Sequence, residues 1–353
     1  MPAAPEHRLT YLVSRDYARR TGGWIYNERL LAELAGRGWA IERRLLAEGF
    51  PAPSAAARAD AAAIYAALPD GALALTDQIC LSPIPEIAQA HATRLKLSMI
   101  VHHPLAEEHD RGGALAQAMR AGERAALGAA RAIIVTSNAT AATLRTAYGV
   151  NDERLSIAPP GLDPHPRSSR SSDPPLLLSV GAVVPRKGHD RLIAGLAPLA
   201  HLSWRLVIAG NLDRAPDHVA RLRAAVAAAG LDARVRFVDE IDDEALQNLW
   251  NDAALYVAAP RLEGYGMAVA EALARGLPVV ATHATATGDW LARDAALVVA
   301  DGDVASLREA LARALTDAAL RNRLSEAAHT FAQTLPRWSD TAVIVDRALS
   351  QVY

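Results

Sequence analysis

A-P-R-L-E-G-Y-G-M-A-V-A-E-A-L-A-R-G-L-P-V-V-A-T, residues Ala259–Thr282, predicts a strand end, a glycine loop, a short helix and a second strand in succession. The apolar run Leu255–Ala259 is typical of a buried strand. Gly264 and Gly266 then free the backbone for a tight turn. Met267–Ala274 consists of strong helix formers. The stretch therefore predicts one strand–loop–helix unit of a parallel sheet.

Two glutamates lie in this unit, Glu263 in the predicted loop and Glu271 on the predicted helix. Gly276 and Pro278 end that helix, and Val279–Ala281 is the following strand. The loop thus lies at the carboxyl edge of a parallel sheet, where open α/β sheets bind ligands. Carboxylates accept hydrogen bonds from sugar hydroxyls in pairs, so the two glutamates could bind the diols of a hexose and a ribose. Exposed helix glutamates at a common spacing are the alternative interpretation.

The same alternation of strands and helices runs through the whole chain twice, which predicts an α/β fold with two Rossmann-like, doubly wound parallel sheets. Between the two halves, the Pro- and Ser-rich segment Pro164–Pro175 has almost no apolar residue and is typical of a linker. We therefore expect four parts: a first domain over 1–163, a linker over 164–175, a second domain over 176–330, and a helical segment over 331–353 that packs back on the first domain.

Composition narrows the function classes. A chain of 353 residues favours two domains, and a net charge of −2 argues against a nucleic-acid binder that relies on bulk charge. The single cysteine, Cys80, fits a reducing cytoplasm, and the sequence shows neither a membrane-length apolar run nor a signal peptide. Of 37 basic residues only Lys96 and Lys187 are lysines, an arginine bias that, with abundant alanine, indicates a GC-rich bacterial genome.

A basic loop, Gly181–Gly188, lies between a predicted strand and a predicted helix. Backbone N–H groups at a helix start attract anions, and Arg186 and Lys187 add two positive charges, which suits a diphosphate. The P-loop order of residues is absent. A solvated basic turn is the alternative. In the first half, the glycine pair that ends at Gly23 also precedes a helix, and there a simple tight turn is the alternative.

Two adjacent histidines, His102 and His103, follow a predicted strand. On a strand end they point to opposite sides, so only one can face a cleft. A metal site is disfavoured because no other clustered His, Cys or carboxylate accompanies them, and Asp301-Gly302-Asp303 reads as a surface turn. For either histidine a purely structural role stays open.

Taken together, these motifs resemble the retaining glycosyltransferases of family 4, which have the GT-B fold. The Glu-x7-Glu pattern of Glu263 and Glu271 is the most diagnostic part. The other segments that occur in the family's order are Arg186–Ile193, Arg205–Gly210, Asp242–Leu255 and Pro260–Thr282, with less specific matches at Thr21–Gly23, Val101–Leu105 and Val135–Thr140.

The resemblance implies a UDP- or GDP-hexose donor, a hydroxyl acceptor on a glycan, lipid or small molecule, and no bound metal or cofactor. Lys187 would hold the diphosphate in the loop that Gly181 opens, Glu263 the donor-sugar hydroxyls and Glu271 the ribose. Backbone N–H groups would contact sugar or phosphate, and the family's pattern places them at Gly264, Tyr265, Gly266 and Met267, with Gly23 approaching the diphosphate from the first domain. His103 or His102 would lie near the sugar. Arg186 and Lys187 would stabilise the departing diphosphate while its phosphate helps to deprotonate the acceptor.

The chain also departs from the family. Gly181-Ala182 stands where the family often has Gly-Arg, and the family's Gly-Gly-x-x-Glu is replaced by His283–Trp290, with Asp289 as the nearest acid. A nucleotide-sugar 2-epimerase and a catalytically impaired nucleotide-sugar-binding protein are therefore the alternatives. A pyridoxal-phosphate phosphorylase is disfavoured by the scarcity of lysine. Three basic residues near the first strand leave peripheral contact with an acidic membrane open, with a solvated basic face as the favoured interpretation: Arg15, Arg19 and Arg20.

Overall fold

Two separate α/β units make up the chain in the computed structural model, which describes residues 7–18, 21–108, 113–284 and 286–353. The first unit comprises Met1–Gly161 and Pro336–Tyr353, and the second comprises Leu162–Leu335. Each unit holds one six-stranded sheet in which every strand pairing is parallel. The predicted fold class, two doubly wound parallel sheets, is confirmed.

The first unit contains strands β1 His7–Ser14, β2 Trp39–Leu46, β3 Leu73–Asp77, β4 Lys96–Val101, β5 Ala132–Val135 and β6 Leu155–Ile157, and helices α1 Gly22–Gly36, α2 Ala55–Ala66, α3 Gln78–Leu81, α4 Pro85–His91, α5 Ala114–Ala129, α6 Asn138–Tyr148 and, from the end of the chain, α14 Trp338–Ser350. The sheet order is β2-β1-β3-β4-β5-β6.

The second unit contains strands β7 Leu176–Val180, β8 Arg205–Ala209, β9 Val235–Val238, β10 Ala253–Ala258, β11 Val279–Thr282 and β12 Ala296–Val299, and helices α7 His189–Leu196, α8 Pro216–Ala228, α9 Asp243–Asp252, α10 Met267–Ala274, α11 Thr287–Trp290, α12 Val304–Thr316 and α13 Ala318–Ala332. The sheet order is β12-β11-β10-β7-β8-β9.

The core of the second unit lies on both faces of its sheet, as the period of two along a strand requires. Leu176 and Leu178 of β7 pack into one apolar layer together with α10, whereas Leu177 packs into the opposite layer together with α7. Because both faces are covered by helices, these strands are continuously apolar. Strands of that kind are easily recognised from sequence.

Strand β2 was missed by the sequence interpretation. It pairs with β1 along its whole length, from His7 opposite Trp39 to Ser14 opposite Leu46. It is an edge strand of its sheet, and only its two ends are buried. The exposed charged residues in its middle interrupt the apolar pattern that would indicate a strand. They also protect the open edge of the sheet from pairing with strands of other chains.

The chain returns to the first unit at Pro336 and adds α14 there. The Thr341 hydroxyl donates to the carbonyl of Pro159 at 2.6 Å, and the Trp39 indole donates to Asp346 at 2.8 Å. Gly161 meets this helix so closely that a Cβ on it would lie 2.2 Å from the backbone nitrogen of Trp338. The C-terminal helix is therefore an integral layer of the first unit.

The predicted linker lies within the second unit and is bound to it. The Ser168 hydroxyl makes 2.8 Å hydrogen bonds to the carbonyls of Asn251 and Ala253, and Arg167 forms an ion pair of 2.6 Å with Glu326. The polar residues of this segment thus serve as hydrogen-bond donors to neighbouring backbone.

Candidate functional site

The strand order of the second sheet places two loops side by side. From β7 the chain proceeds to β8 and β9 in one direction, and β10 and β11 lie in the other direction. The carboxyl ends of β7 and β10 therefore flank the point where the strand order reverses, which is where such sheets bind ligands. The loop 181–188 leaves β7 at this point, and the loop 259–266 leaves β10 beside it.

Lys187 and Glu263 meet across these two loops. The Lys187 ammonium nitrogen lies 2.5 Å from one Glu263 carboxylate oxygen, and a guanidinium nitrogen of Arg186 lies 4.0 Å from the other. The side chains of Lys187 and Glu263 are 21% and 15% exposed, so their charges are partly shielded from water but still reachable. The structure thus brings together three residues that the sequence analysis singled out.

Close approach of the two loops depends on Gly188. Its φ is +66°, and a Cβ there would lie 1.8 Å from the carbonyl oxygen of Ala259. Gly181 has a φ of +144°, and a Cβ on it would be in ordinary van der Waals contact with Cε of Lys187, at 3.4 Å. Glycine is therefore required at Gly188 by contact as well as by backbone conformation, and at Gly181 by backbone conformation alone.

A cavity of about 430 Å³, including its open mouth, lies beside the Lys187–Glu263 pair. The residues that line it are Ser179, Val180, Lys187, His189, Tyr256, Ala258, Pro260, Glu263, Gly266, Ala268, Val269, Ala281, Thr282 and Thr287. Of the four residues expected to present backbone N–H groups, Gly264, Tyr265, Gly266 and Met267, only Gly266 is in this lining. Gly266 has a φ of +97° and directly precedes α10, whose first turn has no side-chain cap.

Two residues of the segment that departs from the family hold the loop before α10. The Trp290 indole donates to the carbonyl of Tyr265 at 2.8 Å, and the Thr287 hydroxyl donates to the same oxygen at 3.3 Å. The rings of Tyr265 and Trp290 stack with centroids 4.9 Å apart. Asp289 is exposed on α11, and Thr285 lies outside the described residues. Neither contact was predicted.

Glu271 lies on α10, outside the lining of that cavity. Burial raises its pKa, and the charge of Arg275 partly opposes this shift. Arg275 is buried against the ring of Trp250, with its guanidinium carbon 4.8 Å from the ring centroid, and it donates to Gln247 at 3.1 Å. The carboxylate that sequence analysis assigned to a ribose thus has a buried cation one helical turn away.

His189, at the start of α7, also lines the cavity. It is buried, and the pKa of its imidazole is lowered to about 3 by burial and by the neighbouring charges of Lys187 and His218. The side chain is therefore neutral at physiological pH. Among the described residues its Nδ1 has no hydrogen-bond partner. Sequence analysis placed this residue in a helix and gave it no role.

The first unit holds the two adjacent histidines at the ligand edge of its own sheet. Strand β4 ends at Val101, so the strand alternation expected to orient His102 and His103 does not extend to them. Nε2 of His102 lies 3.1 Å from Oδ2 of Asp77, and Nε2 of His103 lies 2.6 Å from Glu108. Both histidines therefore have carboxylate partners.

Asp77, at the end of β3, is fully buried and was missed by sequence analysis. It also accepts hydrogen bonds from the Asn27 amide and from the backbone N–H of Ile79, each at 2.9 Å. Burial alone would raise its pKa, but His102 and these donors bring the pKa below its ordinary value. An aspartate directly after a buried strand was the signal that could have identified it.

Gly23 is the second residue of α1. Thr21 caps this helix by accepting a hydrogen bond from the backbone N–H of Trp24 at 3.2 Å. The glycine pair that was expected just before this helix thus forms its first two residues. Arg15 begins a short 3-10 turn, whereas Arg19 and Arg20 lie outside the described residues.

Within the described parts of the chain, no cluster of three or more His, Cys, Asp or Glu side chains could hold a metal ion. In the same residues, every helix is too short or too polar to cross a bilayer.

Two family models match adjoining parts of the chain and together span residues 44–331. The model described as glycosyl transferases group 1 matches residues 163–331, and the model described as Glycosyltransferase Family 4 matches residues 44–165.

Curated relatives match at lower coverage. The chain is 29% identical over 240 residues to D-inositol 3-phosphate glycosyltransferase of Xylanimonas cellulosilytica, covering 63% of this chain and 57% of the relative. It is 30% identical over 239 residues to the lipopolysaccharide core biosynthesis mannosyltransferase LpsB of Rhizobium meliloti, covering 63% and 65%. The chain thus spans little more than half the length of the first of these relatives.

Solved structures share the fold over the full length. Sucrose-phosphate synthase of Thermosynechococcus elongatus has a TM-score of 0.81 at 20% identity, covering 98% of this chain and 99% of that one. Anabaena HepE, solved in complex with UDP-glucose, has a TM-score of 0.78 at 17% identity with the same coverage.

Proposed function

Since the chain belongs to the family-4 glycosyltransferases of the GT-B fold, we propose that it transfers a hexosyl unit from a UDP- or GDP-hexose to a hydroxyl acceptor, with retention at the anomeric carbon and without a metal ion. The observation that carries the proposal is the convergence of Lys187, Arg186 and Glu263 beside one cavity at the ligand edge of the second sheet.

The charges at this edge fit a donor that is anionic at one end and rich in hydroxyls at the other. Lys187 and Arg186 provide two positive charges for the diphosphate, and Glu263 accepts hydrogen bonds from the hexose hydroxyls. In the structure, Lys187 and Glu263 neutralise each other at 2.5 Å. A bound donor replaces that contact with a phosphate on the lysine and hydroxyls on the glutamate.

In the proposed reaction, the bond between the anomeric carbon and the phosphate oxygen breaks while the acceptor oxygen bonds to the same carbon from the same face. The acceptor proton passes to the departing phosphate. Arg186 and Lys187 stabilise the negative charge that develops on the diphosphate, because fixed cations in a partly shielded site act strongly there. Glu271 on α10 is assigned to the ribose hydroxyls, and Gly266 offers its backbone N–H at the start of the helix.

The acceptor is assigned to the first unit, where Gly23, His102 and His103 lie at the ligand edge of the sheet. The relatives include a D-inositol 3-phosphate glycosyltransferase and a lipopolysaccharide core biosynthesis mannosyltransferase, and HepE was solved in complex with UDP-glucose. These names support a nucleotide-sugar donor and a glycan, lipid or phosphorylated polyol acceptor. We assign the protein to the cytoplasm.

The test measures release of UDP or GDP from UDP- and GDP-hexoses by the purified chain, with and without an acceptor panel. Glu263→Gln and Lys187→Ala should each reduce transfer at least a hundredfold, roughly the effect of removing one group that stabilises transition-state charge, while circular dichroism shows that each variant keeps the fold of the parent. Glu326→Gln is the matched control, because Glu326 forms an exposed ion pair with Arg167 in the same unit.

Full transfer by either site variant would overturn the proposal. Conversion of the donor sugar without acceptor would identify a 2-epimerase, and donor binding without turnover across the panel would identify a nucleotide-sugar-binding protein.

A further inference from the structure

Arg261, in the loop after β10, forms a bidentate ion pair with Asp190, at the start of the helix that follows the basic loop. Arg261 follows Pro260 in the loop after β10, and Asp190 lies in the first turn of α7. The two terminal guanidinium nitrogens lie 2.7 and 2.5 Å from the two carboxylate oxygens. Paired contacts of this kind fix both distance and orientation, which a single ammonium contact cannot do.

Arg261 also holds the backbone of the basic loop. The same side chain donates to the carbonyl of Pro185 at 2.9 Å, and its backbone N–H donates to the carbonyl of Arg186 at 2.7 Å. The next residue, Leu262, donates to the Arg186 carbonyl as well, at 3.4 Å. One residue thus binds two consecutive carbonyls of the short 3-10 turn Pro185–Lys187 and the helix that follows it.

The geometry bears directly on Lys187. Lys187 directly follows the two carbonyls that Arg261 anchors, and Glu263 lies two residues after Arg261. A lysine side chain is long and loses much rotamer freedom when it is held in one place. A fixed backbone position therefore decides whether its ammonium group reaches the cavity. The guanidinium also neutralises Asp190, a negative charge three residues from the lysine.

We infer that Arg261, oriented by Asp190, is a positioning residue for diphosphate binding. It fixes the backbone of the basic loop in the position in which Arg186 and Lys187 face the donor. The inference deepens the proposed function and rests on it. Arg261 acts through the loop and through charge compensation, and touches no reacting atom.

The variants are Arg261→Gln, Arg261→Lys, Asp190→Asn and the double variant Arg261→Gln with Asp190→Asn. Arg191→Gln is the matched control, because Arg191 is the next residue of the same helix and pairs with Asp301. Isothermal titration calorimetry measures the affinity of each variant for UDP and GDP and for uridine and guanosine. The nucleosides lack the diphosphate, so they report on folding of the base and ribose site alone.

Arg261→Gln should weaken binding of the nucleoside diphosphate at least tenfold and change nucleoside affinity less than twofold. The double variant should recover part of that loss, because it no longer leaves Asp190 unpaired beside an anionic ligand. Arg261→Lys should lie between Arg261→Gln and the parent, and Arg191→Gln should bind both ligands as the parent does. If Arg261→Gln does not fold, the nucleoside-diphosphate and nucleoside affinities of Arg261→Lys and Asp190→Asn decide whether the inference holds.

Parent-like diphosphate affinity in the Arg261 variants overturns the inference, as does an equal loss for nucleoside and diphosphate or an equal loss in Arg191→Gln. A parent chain that binds diphosphate but transfers no sugar contradicts the proposed function and leaves this binding test intact. A parent chain that binds neither nucleoside diphosphate overturns both.

Discussion

Lys187 and Glu263, 76 positions apart in the chain, place their opposite charges 2.5 Å from each other. Both side chains are largely covered, so the pair is screened less than a surface ion pair. A ligand that separates them must therefore offer each one an equivalent partner. A molecule with a phosphate next to sugar hydroxyls does so, whereas a free phosphate satisfies only the lysine.

The ion pair predicts an energetic coupling between these residues in the ligand-free protein. Lys187→Met and Glu263→Gln should each lower the free energy of unfolding, and the double variant should lose about 1–3 kcal/mol less than the sum of the two. Urea unfolding of the four proteins measures the coupling. Strictly additive effects would show that the contact contributes nothing to stability.

Gly188 and Gly230 form a matched pair for testing the contact between the loops. Their φ values are +66° and +65°, yet a Cβ on Gly188 would lie 1.8 Å from the Ala259 carbonyl while Gly230 has open space around it. Gly230→Ala should cost about 1–2 kcal/mol, the left-handed backbone penalty. Gly188→Ala should lose substantially more, of order 4 kcal/mol, or fail to fold. Equal losses in urea unfolding would contradict the close approach.

Acid should destabilise the protein through His189. The pKa of this buried imidazole is about 3 in the folded protein against an ordinary value of 6.5, so unfolding takes up a proton between these values. Stability is therefore lost as the pH falls from about 6.5 toward 3, by about 2 kcal/mol between pH 7 and pH 5. His189→Gln should show a correspondingly smaller loss over that interval. An unchanged pH dependence would exclude this source of acid sensitivity.

Trp290 is expected to support donor binding through one hydrogen bond. Trp290→Phe keeps a ring to stack on Tyr265 but removes the donor to its carbonyl, and kcat/KM for the donor should fall about three- to tenfold. Trp204→Phe is the control, since that indole makes a bond of the same 2.8 Å length to Leu199 in the other core layer. The control should lower stability without changing kcat/KM.

Transfer should survive EDTA. Arg186 and Lys187 supply the positive charge that a divalent cation provides for a leaving diphosphate in other sites. Activity assays after chelation, with Mg²⁺ and Mn²⁺ added back, measure this. Loss of activity that either metal restores would contradict metal independence.

Sequence reasoning identified the features that are encoded within one stretch of the chain and those that follow from the topology of a parallel sheet. The bounds of α10 matched the prediction, because helix formers, Gly266 and Gly276 define them within one stretch. Lys187 and Glu263 were expected at one edge because their loops follow parallel strands. The pairing of Arg261 with Asp190 was not found, since it depends on the distance between two loop backbones. The contacts of Trp290 with Tyr265 and of His102 with Asp77 were missed for the same reason.

The return of the chain at Pro336 has a consequence for synthesis. The first unit needs α14 to cover Tyr26 and to satisfy the Pro159 carbonyl, and Trp338 stacks edgewise on Tyr26 at 5.8 Å. During translation, the first unit therefore lacks its last helix until all of Leu162–Leu335 has been synthesised. Domains that are each made from one continuous segment generally fold in the order in which they are translated, the amino-terminal one first. Here the second unit can finish folding first, so the order is reversed.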